Sequence, residues 1–445
     1  MMPSKYFGTD GIRGKFGEQP LTKNFFKVLG ASISKALLEN DDLNKSILIG
    51  SDTRESSEEI LNLLATGLVT TDCNIDYAGV VPTPAISLFT KERDYSIGIM
   101  ISASHNLYYD NGIKIFNSQG NKISIDEENL IEDYIETIKN TKVNFDKNIK
   151  INNISKNIED DYIKFCLDNS KDVDLKNINI SLDVANGSNY KIAEIVFSKL
   201  GMNVRTHNNK PNGKNINQNC GSTFIQELPK IVSEDKSLFG LSMDGDGDRI
   251  VIVDNNGNIL DGDDILYTIV YGKLLNKEKV NGVVGTKMTN LSLEKFLNSK
   301  NIKFIRTDVG DKYVLEKMIK NNFIIGGETS GHILMLDKIS SGDSIIAALA
   351  FLNYSNILKE NGINHKLNKY PQTLKNIKID KTLQENFVNV VINEAIKKYS
   401  DNNARLIIRK SGTENCIRVM VEAENILTVE SLSTEVSNFI SKKLK

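Results

Sequence analysis

Ile47-Leu-Ile-Gly-Ser-Asp at 47–52, then an apolar helical stretch through Ile60–Leu68, then Asn74-Ile-Asp-Tyr-Ala-Gly-Val at 74–80 reads as strand, helix, strand. Ile60, Leu63 and Leu64 fall at the i, i+3, i+4 spacing of an amphipathic face. The pattern returns twice. Ile178-Asn-Ile-Ser-Leu-Asp-Val is followed by a helix through Ile192–Leu200 and by Met202-Asn-Val-Arg. Gly282-Val-Val-Gly-Thr is followed by a helix through Leu291–Leu297 and by Ile302-Lys-Phe-Ile-Arg. Strand–helix–strand units imply parallel pairing and an α/β sheet. Their wide separation predicts three similar mixed α/β domains. The last part differs. Ala404-Arg-Leu-Ile-Ile-Arg, a loop, Ile417-Arg-Val-Met-Val-Glu-Ala and an amphipathic helix from Val429 to Lys442 predict a small α+β domain. Polar, Asn-rich stretches near 140–157 and 360–376 are the expected linkers, and the strand and turn of 250–258 mark the second-to-third boundary. The expected segments are 1–150, 151–254, 255–368 and 369–445, set around a central cleft. Ligands gather at the carboxyl ends of strands in open α/β sheets, so the loops there are the place to look.

Composition narrows the functional classes. The chain has 445 residues, 40% hydrophobic and 25% charged, an ordinary globular profile. Lys plus Arg number 55 and Asp plus Glu 57, a net charge of −2 that argues against a general nucleic-acid binder. Cys73, Cys166, Cys220 and Cys416 are scattered, so no CxxC metal pair exists, and such thiols fit a reducing cytoplasm. The opening MMPSKYFGTDGIRG lacks the apolar core of a signal peptide. The longest apolar run, Ile345 to Leu352, is too short to span a bilayer.

Asp244-Gly-Asp-Gly-Asp-Arg (244–249) lies between two apolar strands. Alternation in an extended or gently curved loop turns Asp244, Asp246 and Asp248 to one side, and Gly245 and Gly247 let the backbone wrap closely. Three clustered carboxylates repel one another unless a cation sits among them. An EF-hand needs Gly at the sixth position and Glu at the twelfth; Arg249 and Asn255 stand there. Few, hard oxygen ligands favour one Mg²⁺ per chain. Ser104, in Gly98-Ile-Met-Ile-Ser-Ala-Ser-His-Asn-Leu, supplies a hydroxyl that can carry a phosphoryl group. A cation beside it neutralises that group and makes Ser104 a fourth member of the metal set. Lys114, Arg13, His105 and His332 are the candidates for proton transfer or added charge. On spacing alone, the basic pair reads equally well as ordinary surface residues.

Two more loops point to a ligand. Gly326-Gly-Glu-Thr-Ser-Gly-His offers Gly327, where backbone can approach a ligand, and Glu328 and Ser330, which can grip vicinal hydroxyls. Arg409 and Arg418 flank Ser411, Gly412 and Thr413; two guanidinium forks, two hydroxyls and a free amide suit a phosphate monoester.

In this order the loops resemble those of the α-D-phosphohexomutase superfamily, and most closely its bacterial branch acting on glucosamine phosphates. The strings that carry the resemblance are KYFGTDGIRG at 5–14, ISASHNLYYDNGIKIF at 101–116, NGKNINQNCGST at 212–223, MDGDGDRIVIVD at 243–254, VGDKYVLEKM at 309–318, GGETSGHI at 326–333 and RKSGTENCIRVMVEAE at 409–424. The first and third are the most specific to that branch. The resemblance implies four domains around the cleft and interconversion of glucosamine 6-phosphate and glucosamine 1-phosphate, feeding UDP-N-acetylglucosamine and the cell wall. It implies phosphorylation of Ser104, activation by a sugar 1,6-bisphosphate, Mg²⁺ on Asp244, Asp246, Asp248 and the phosphoserine, sugar hydroxyls on Glu328 and Ser330, and the idle phosphate on Arg409, Ser411, Gly412, Thr413 and Arg418. The expected partner is a small hexosamine phosphate, with no nucleic acid and no membrane; a homodimer is left open. Four positions depart from the family's pattern. Leu107 and Asn415 replace usual prolines, and Lys312 a usual Arg. Lys287 stands where the glucosamine branch is usually apolar and mutases for mannose and glucose phosphates carry a Lys nearby.

Overall fold

The computed structural model describes residues 5–38, 45–141, 145, 149–170, 175–380, 384–400, 404–410 and 415–444. The first sheet grows from the apolar run at 46–51. Its elements are β1 (Ile12–Lys15), α1 (Lys23–Leu38), β2 (Ser46–Ser51), α2 (Ser57–Leu68), β3 (Asn74–Val80), α3 (Thr83–Glu92), β4 (Ile97–Ile101), β5 (Asp110–Asn117), α4 (Ile125–Lys139), β6 (Ile151–Asn153) and α5 (Ser155–Asp168). The strand order is β1-β5-β4-β2-β3-β6. β2 is buried along its whole length and pairs in parallel with β3 and β4, and parallel sheets are ordinarily covered on both faces. β5 returns antiparallel to β4 and pairs with β1. Part of the expected linker near 140–157 is therefore the sheet's last strand, β6, parallel to β3.

The second sheet repeats the plan with β7 (Asn179–Asp183), α6 (Ile192–Lys199), β8 (Asn203–His207), α7 (Leu228–Asp235), β9 (Phe239–Met243), β10 (Ile250–Asp254) and β11 (Ile259–Leu260), in the order β11-β10-β9-β7-β8. β7 is parallel to β8 and β9, and β10 turns back along β9. The third follows with α8 (Gly262–Leu275), β12 (Gly282–Thr286), α9 (Leu291–Ser299), β13 (Lys303–Thr307), α10 (Asp311–Asn321), β14 (Ile325–Gly327), β15 (Ile333–Met335) and α11 (Ser344–Glu360), in the order β13-β12-β14-β15. β12 is parallel to β13 and β14. The C-terminal part is β16 (Gln372–Lys378), α12 (Glu385–Tyr399), β17 (Ala404–Lys410), β18 (Cys416–Ala423) and α13 (Ile426–Lys443), an antiparallel sheet β16-β18-β17 under two helices. The fold is three α/β domains and a C-terminal α+β domain.

The described residues divide into two compact units. One comprises 1–288 with 302–366, the other 289–301 with 367–445. The third strand–helix–strand unit is thus split. β12 and β13 pair in parallel as expected, while the helix between them, α9, falls in the compact unit that contains the C-terminal sheet. Its N-terminal Leu291 amide donates to Glu422 Oε1 at 3.1 Å, and Asn290 exchanges two hydrogen bonds with the Tyr370 backbone. Three loops of the first unit leave the carboxyl ends of parallel strands: Ser104 after β4, the acid run after β9 and Glu328 after β14. Among the described residues, no helix is long and apolar enough to cross a membrane.

Candidate active site

Ser104 is fully buried and sits at φ 51°, a left-handed conformation that L-residues other than Asn and Asp seldom adopt. Side chains from distant segments hold it there. Ser104 N–H donates to Ser102 Oγ at 2.9 Å, and Ser102 Oγ donates to Asp52 Oδ2 at 2.5 Å. Asp52 also holds Arg54 through a fully buried ion pair of 2.6 Å. Arg54 and Asn217 both donate to the carbonyls of Ser104 and Asn106. The Ser104 hydroxyl donates to Asp244 Oδ2 at 2.5 Å and lies 3.3 Å from His105 Nδ1. Burial, helped by Arg249 and Arg13, pushes the His105 pKa down to about 4, so this imidazole is neutral near pH 7.

The acid loop is a tight turn, sharper than the extended or gently curved loop read from its alternation. Gly247 N–H donates to Asp244 O at 3.1 Å, and Gly247 takes φ 72°. The carboxylates converge all the same: Asp244, Asp246 and Asp248 are buried, with ligand atoms within 4.8 Å of one another. A Cβ on Gly245 would stand 2.6 Å from Ser104 O, so only glycine lets the two loops meet. Lys114 Nζ bridges Asp246 at 2.7 Å and Asp248 at 2.6 Å. Burial opposes its charge, but Asp10, Asp246 and Asp248 hold its pKa well above the ordinary value. Burial and the two neighbouring carboxylates push Asp244 up, whereas Lys114 and His332 overcome burial to hold Asp248 down. Asp246 Oδ1 and Asp248 Oδ1 are buried without a hydrogen-bond partner. Carboxylate oxygens without hydrogen bonds beside a buried hydroxyl suit a small, hard divalent cation.

The Glu328 loop reaches the same place. Ile250, which follows the acid run, donates its amide to Gly331 O at 3.1 Å. Gly327 ends β14, paired with Ile333, and Glu328 is buried with Oε1 accepting from Gly310 N–H at 3.0 Å. Ser330 is exposed. His332 is buried, its Nδ1 3.6 Å from Asp248 Oδ1 and its Nε2 3.4 Å from Asp311 Oδ2. Burial opposes its protonation, but Asp248 and Asp311 prevail and raise its pKa. Arg13, on β1, pairs with Asp10 rather than with the acid run. In the C-terminal unit, Arg409 and Arg418 are direct cross-strand partners on β17 and β18, which puts both side chains on one face. Ser411, Gly412 and Thr413 lie outside the described residues.

Four participants escape the sequence reading. Arg249 directly follows the third Asp, and its Nε lies 3.8 Å from Asp248 Oδ1; its place in the Asp244–Arg249 run was the available signal. Asp10 and Asp311 lie in the strings 5–14 and 309–318 that carry the resemblance, which assigns them no role, Lys122 lies outside those strings, and only the fold brings the three together. Of the departures, Leu107 is exposed, Lys312 pairs with Glu128 at 3.2 Å and Lys287 pairs with Asp308. Asn415 accepts from Ile379 N–H at 3.0 Å through its backbone.

The chain matches the phosphoglucomutase/phosphomannomutase family throughout: alpha/beta/alpha domain I over residues 4–142, domain II over 160–257, domain III over 261–373 and the C-terminal domain over 367–438. It is 39% identical to the phosphoglucosamine mutase of Nitrosococcus oceani, covering 99% of this chain and 98% of that one. It is 40% identical to that of Acinetobacter baumannii, with 98% of each covered. A phosphoglucomutase/phosphomannomutase family protein from Burkholderia thailandensis has the same fold, with a TM-score of 0.81 at 19% identity over 100% of this chain and 98% of that one. The N-acetylphosphoglucosamine mutase of Aspergillus fumigatus, solved with GlcNAc-6P and magnesium, gives 0.63 at 18% identity over 100% and 97%. The chain therefore belongs to the phosphoglucomutase/phosphomannomutase family of the α-D-phosphohexomutase superfamily.

Proposed function

We propose that this protein interconverts glucosamine 6-phosphate and glucosamine 1-phosphate through a phosphorylated Ser104 and a bisphosphorylated sugar. The observation that carries the reading is the buried Ser104 hydroxyl, 2.5 Å from Asp244 within the acid cluster. Two relatives of 39% and 40% identity, both phosphoglucosamine mutases, support the choice of sugar.

The phosphoryl group leaves Ser104 Oγ for the free hydroxyl of the sugar monophosphate; the Oγ–P bond breaks and a sugar O–P bond forms. After the bisphosphate turns round, its other phosphoryl group returns to Oγ. The loop contacts from Arg54, Ser102 and Asn217 keep Oγ at one point through both halves, which is where positioning contributes. Lys114 adds positive charge beside the transferring group. Of the four candidates Lys114, His105, His332 and Arg13, Lys114 and Arg13 are cations that supply charge, and His105, held neutral by its surroundings, is the one free to take the sugar's proton. Asp244, Asp246 and Asp248 would hold one Mg²⁺, which when bound would neutralise phosphoryl oxygens. Glu328 and Ser330 would take sugar hydroxyls, and Arg409 and Arg418, with the 411–413 loop, the idle phosphate. A bisphosphate primes the cycle by phosphorylating Ser104. The setting is the cytoplasm.

Mass spectrometry of the purified protein, before and after glucosamine 1,6-bisphosphate with Mg²⁺, tests this. Phosphate is expected to build up on Ser104 and to leave on addition of sugar monophosphate. A Ser104 that never carries phosphate refutes the scheme. Turnover of mannose or glucose phosphate at equal kcat/KM refutes the sugar assignment, and steady phosphate release without isomerisation marks a phosphatase. Light scattering decides the homodimer left open by the sequence.

A further inference from the structure

Behind the acid cluster, six side chains, alternately acidic and basic, form a closed ring within the first unit. Asp248 pairs with Lys114 at 2.6 Å, and Lys114 with Asp10 at 3.2 Å. Asp10 pairs with Lys122, and Lys122 with Asp311. Asp311 faces His332 Nε2 at 3.4 Å, and His332 Nδ1 faces Asp248 at 3.6 Å. The members come from six separate places: the turn before β1, strand β5, the segment after β5, the loop after β9, the first residue of α10 and the loop between β14 and β15. Lys122 is the member on the far side. Its own ion pairs go to Asp10 and Asp311, and each of those carboxylates in turn holds a group facing the acid cluster.

We infer that Lys122 is a positioning residue for phosphoryl transfer, setting Lys114 through Asp10 and His332 through Asp311; the inference rests on the mutase reading above. Its ammonium stands between two carboxylates whose side chains are only 12% and 11% exposed. Without that cation, like charges would face one another where solvent screens them little, and the two would separate. Lys114 and His332 would move with their partners. A displacement of either spoils charge placement on the transferring group without removing a group that touches it.

The test is steady-state kinetics on the full chain. Lys122→Met is expected to lower kcat by about 10- to 100-fold, the usual cost of losing a supporting partner. KM for the sugar phosphate should stay within about threefold, because the effect falls on the reacting geometry rather than on sugar binding. Lys122→Arg, which keeps the charge, should recover most of the loss. Asp311→Asn breaks the same ring at another link, so it should lower kcat similarly and carries the test if Lys122→Met does not fold. The double variant should be no slower than the slower single one. Unchanged kcat, a raised KM with kcat intact, or losses that multiply in the double variant would each overturn the inference. A wild-type protein that does not isomerise glucosamine phosphates refutes the proposed function instead, so the two failures are separable.

Discussion

Ser104 combines its proposed chemical role with a backbone that other side chains must enforce. A non-glycine residue at φ 51° costs roughly 1–2 kcal/mol. Here the Asp52–Ser102 contact and the hydrogen bonds of Arg54 and Asn217 to the Ser104 carbonyl maintain it. Replacing Ser104 should therefore separate function from stability. Ser104→Ala and Ser104→Gly should both lose turnover entirely, since neither has an oxygen to phosphorylate. Glycine relieves the strain but loses more freedom on folding, about 0.5–1 kcal/mol. The two effects leave Ser104→Gly melting no lower than Ser104→Ala. A glycine variant clearly less stable than the alanine one would show that the loop imposes no such strain. The same residues show what a sequence exposes. Ser104 and the acid triad sit in short contiguous strings whose chemistry is written in adjacent letters. Asp10, Lys122 and Asp311 are separated by 112 and 189 positions in their pairings, so no adjacent letters show that they meet.

Elements were legible where they have two faces. The helices at 57–68 and 192–199 have a polar side, and their apolar spacing marks them. α8 and α11 are buried on nearly every side and pack together, so they show no amphipathic period. The run Ile345 to Leu352 thus reads only as apolar, although it is the heart of a core helix. Its start is set by Asp343, which caps α11 by accepting from the Ile345 and Ile346 amides at 2.9 and 3.0 Å. The same carboxyl accepts from Tyr162 Oη at 2.7 Å, and burial lifts its pKa from 3.8 to about 6. The sign follows from proton uptake. Below pH 4 both the folded and unfolded carboxyl are protonated, and the native state bears no charge penalty. Between pH 4 and 6 the unfolded chain has released a proton that the native state keeps, so stability falls as pH rises. Above pH 6 the loss is constant, at about 3 kcal/mol. Asp343→Asn keeps a cap oxygen and has no charge to bury. Its melting temperature should gain on the wild type as pH rises from 5 to about 6.5 and then hold steady. A difference that is flat across that range would mean the carboxyl is not the source.

At the scale of the molecule, the chain passes between its two compact units more than once, because the segment 289–301, with α9, groups with the C-terminal residues although the matched domain III spans 261–373. No local pattern predicts this. The strand–helix–strand signal at 282–307 is the same as in the first two domains, and what differs is the partner waiting for the helix. That partner is Glu422, fully buried on β18. It accepts from the Leu291 amide at 3.1 Å and pairs with Arg405 at 2.6 Å. The helix start is thereby fixed to the C-terminal sheet by a charge that also satisfies an arginine. Removing one partner of a buried pair costs about 3–5 kcal/mol. Glu422→Ala should therefore weaken the C-terminal unit selectively. By hydrogen exchange, amides of α9 and β16–β18 should lose protection by orders of magnitude, while those of β2–β5 and β7–β10 keep theirs, since local opening follows the cooperative unit that has been weakened. If α9 instead exchanges with β12 and β13, unchanged by the substitution, the helix belongs to the third sheet and the division into two units is drawn in the wrong place.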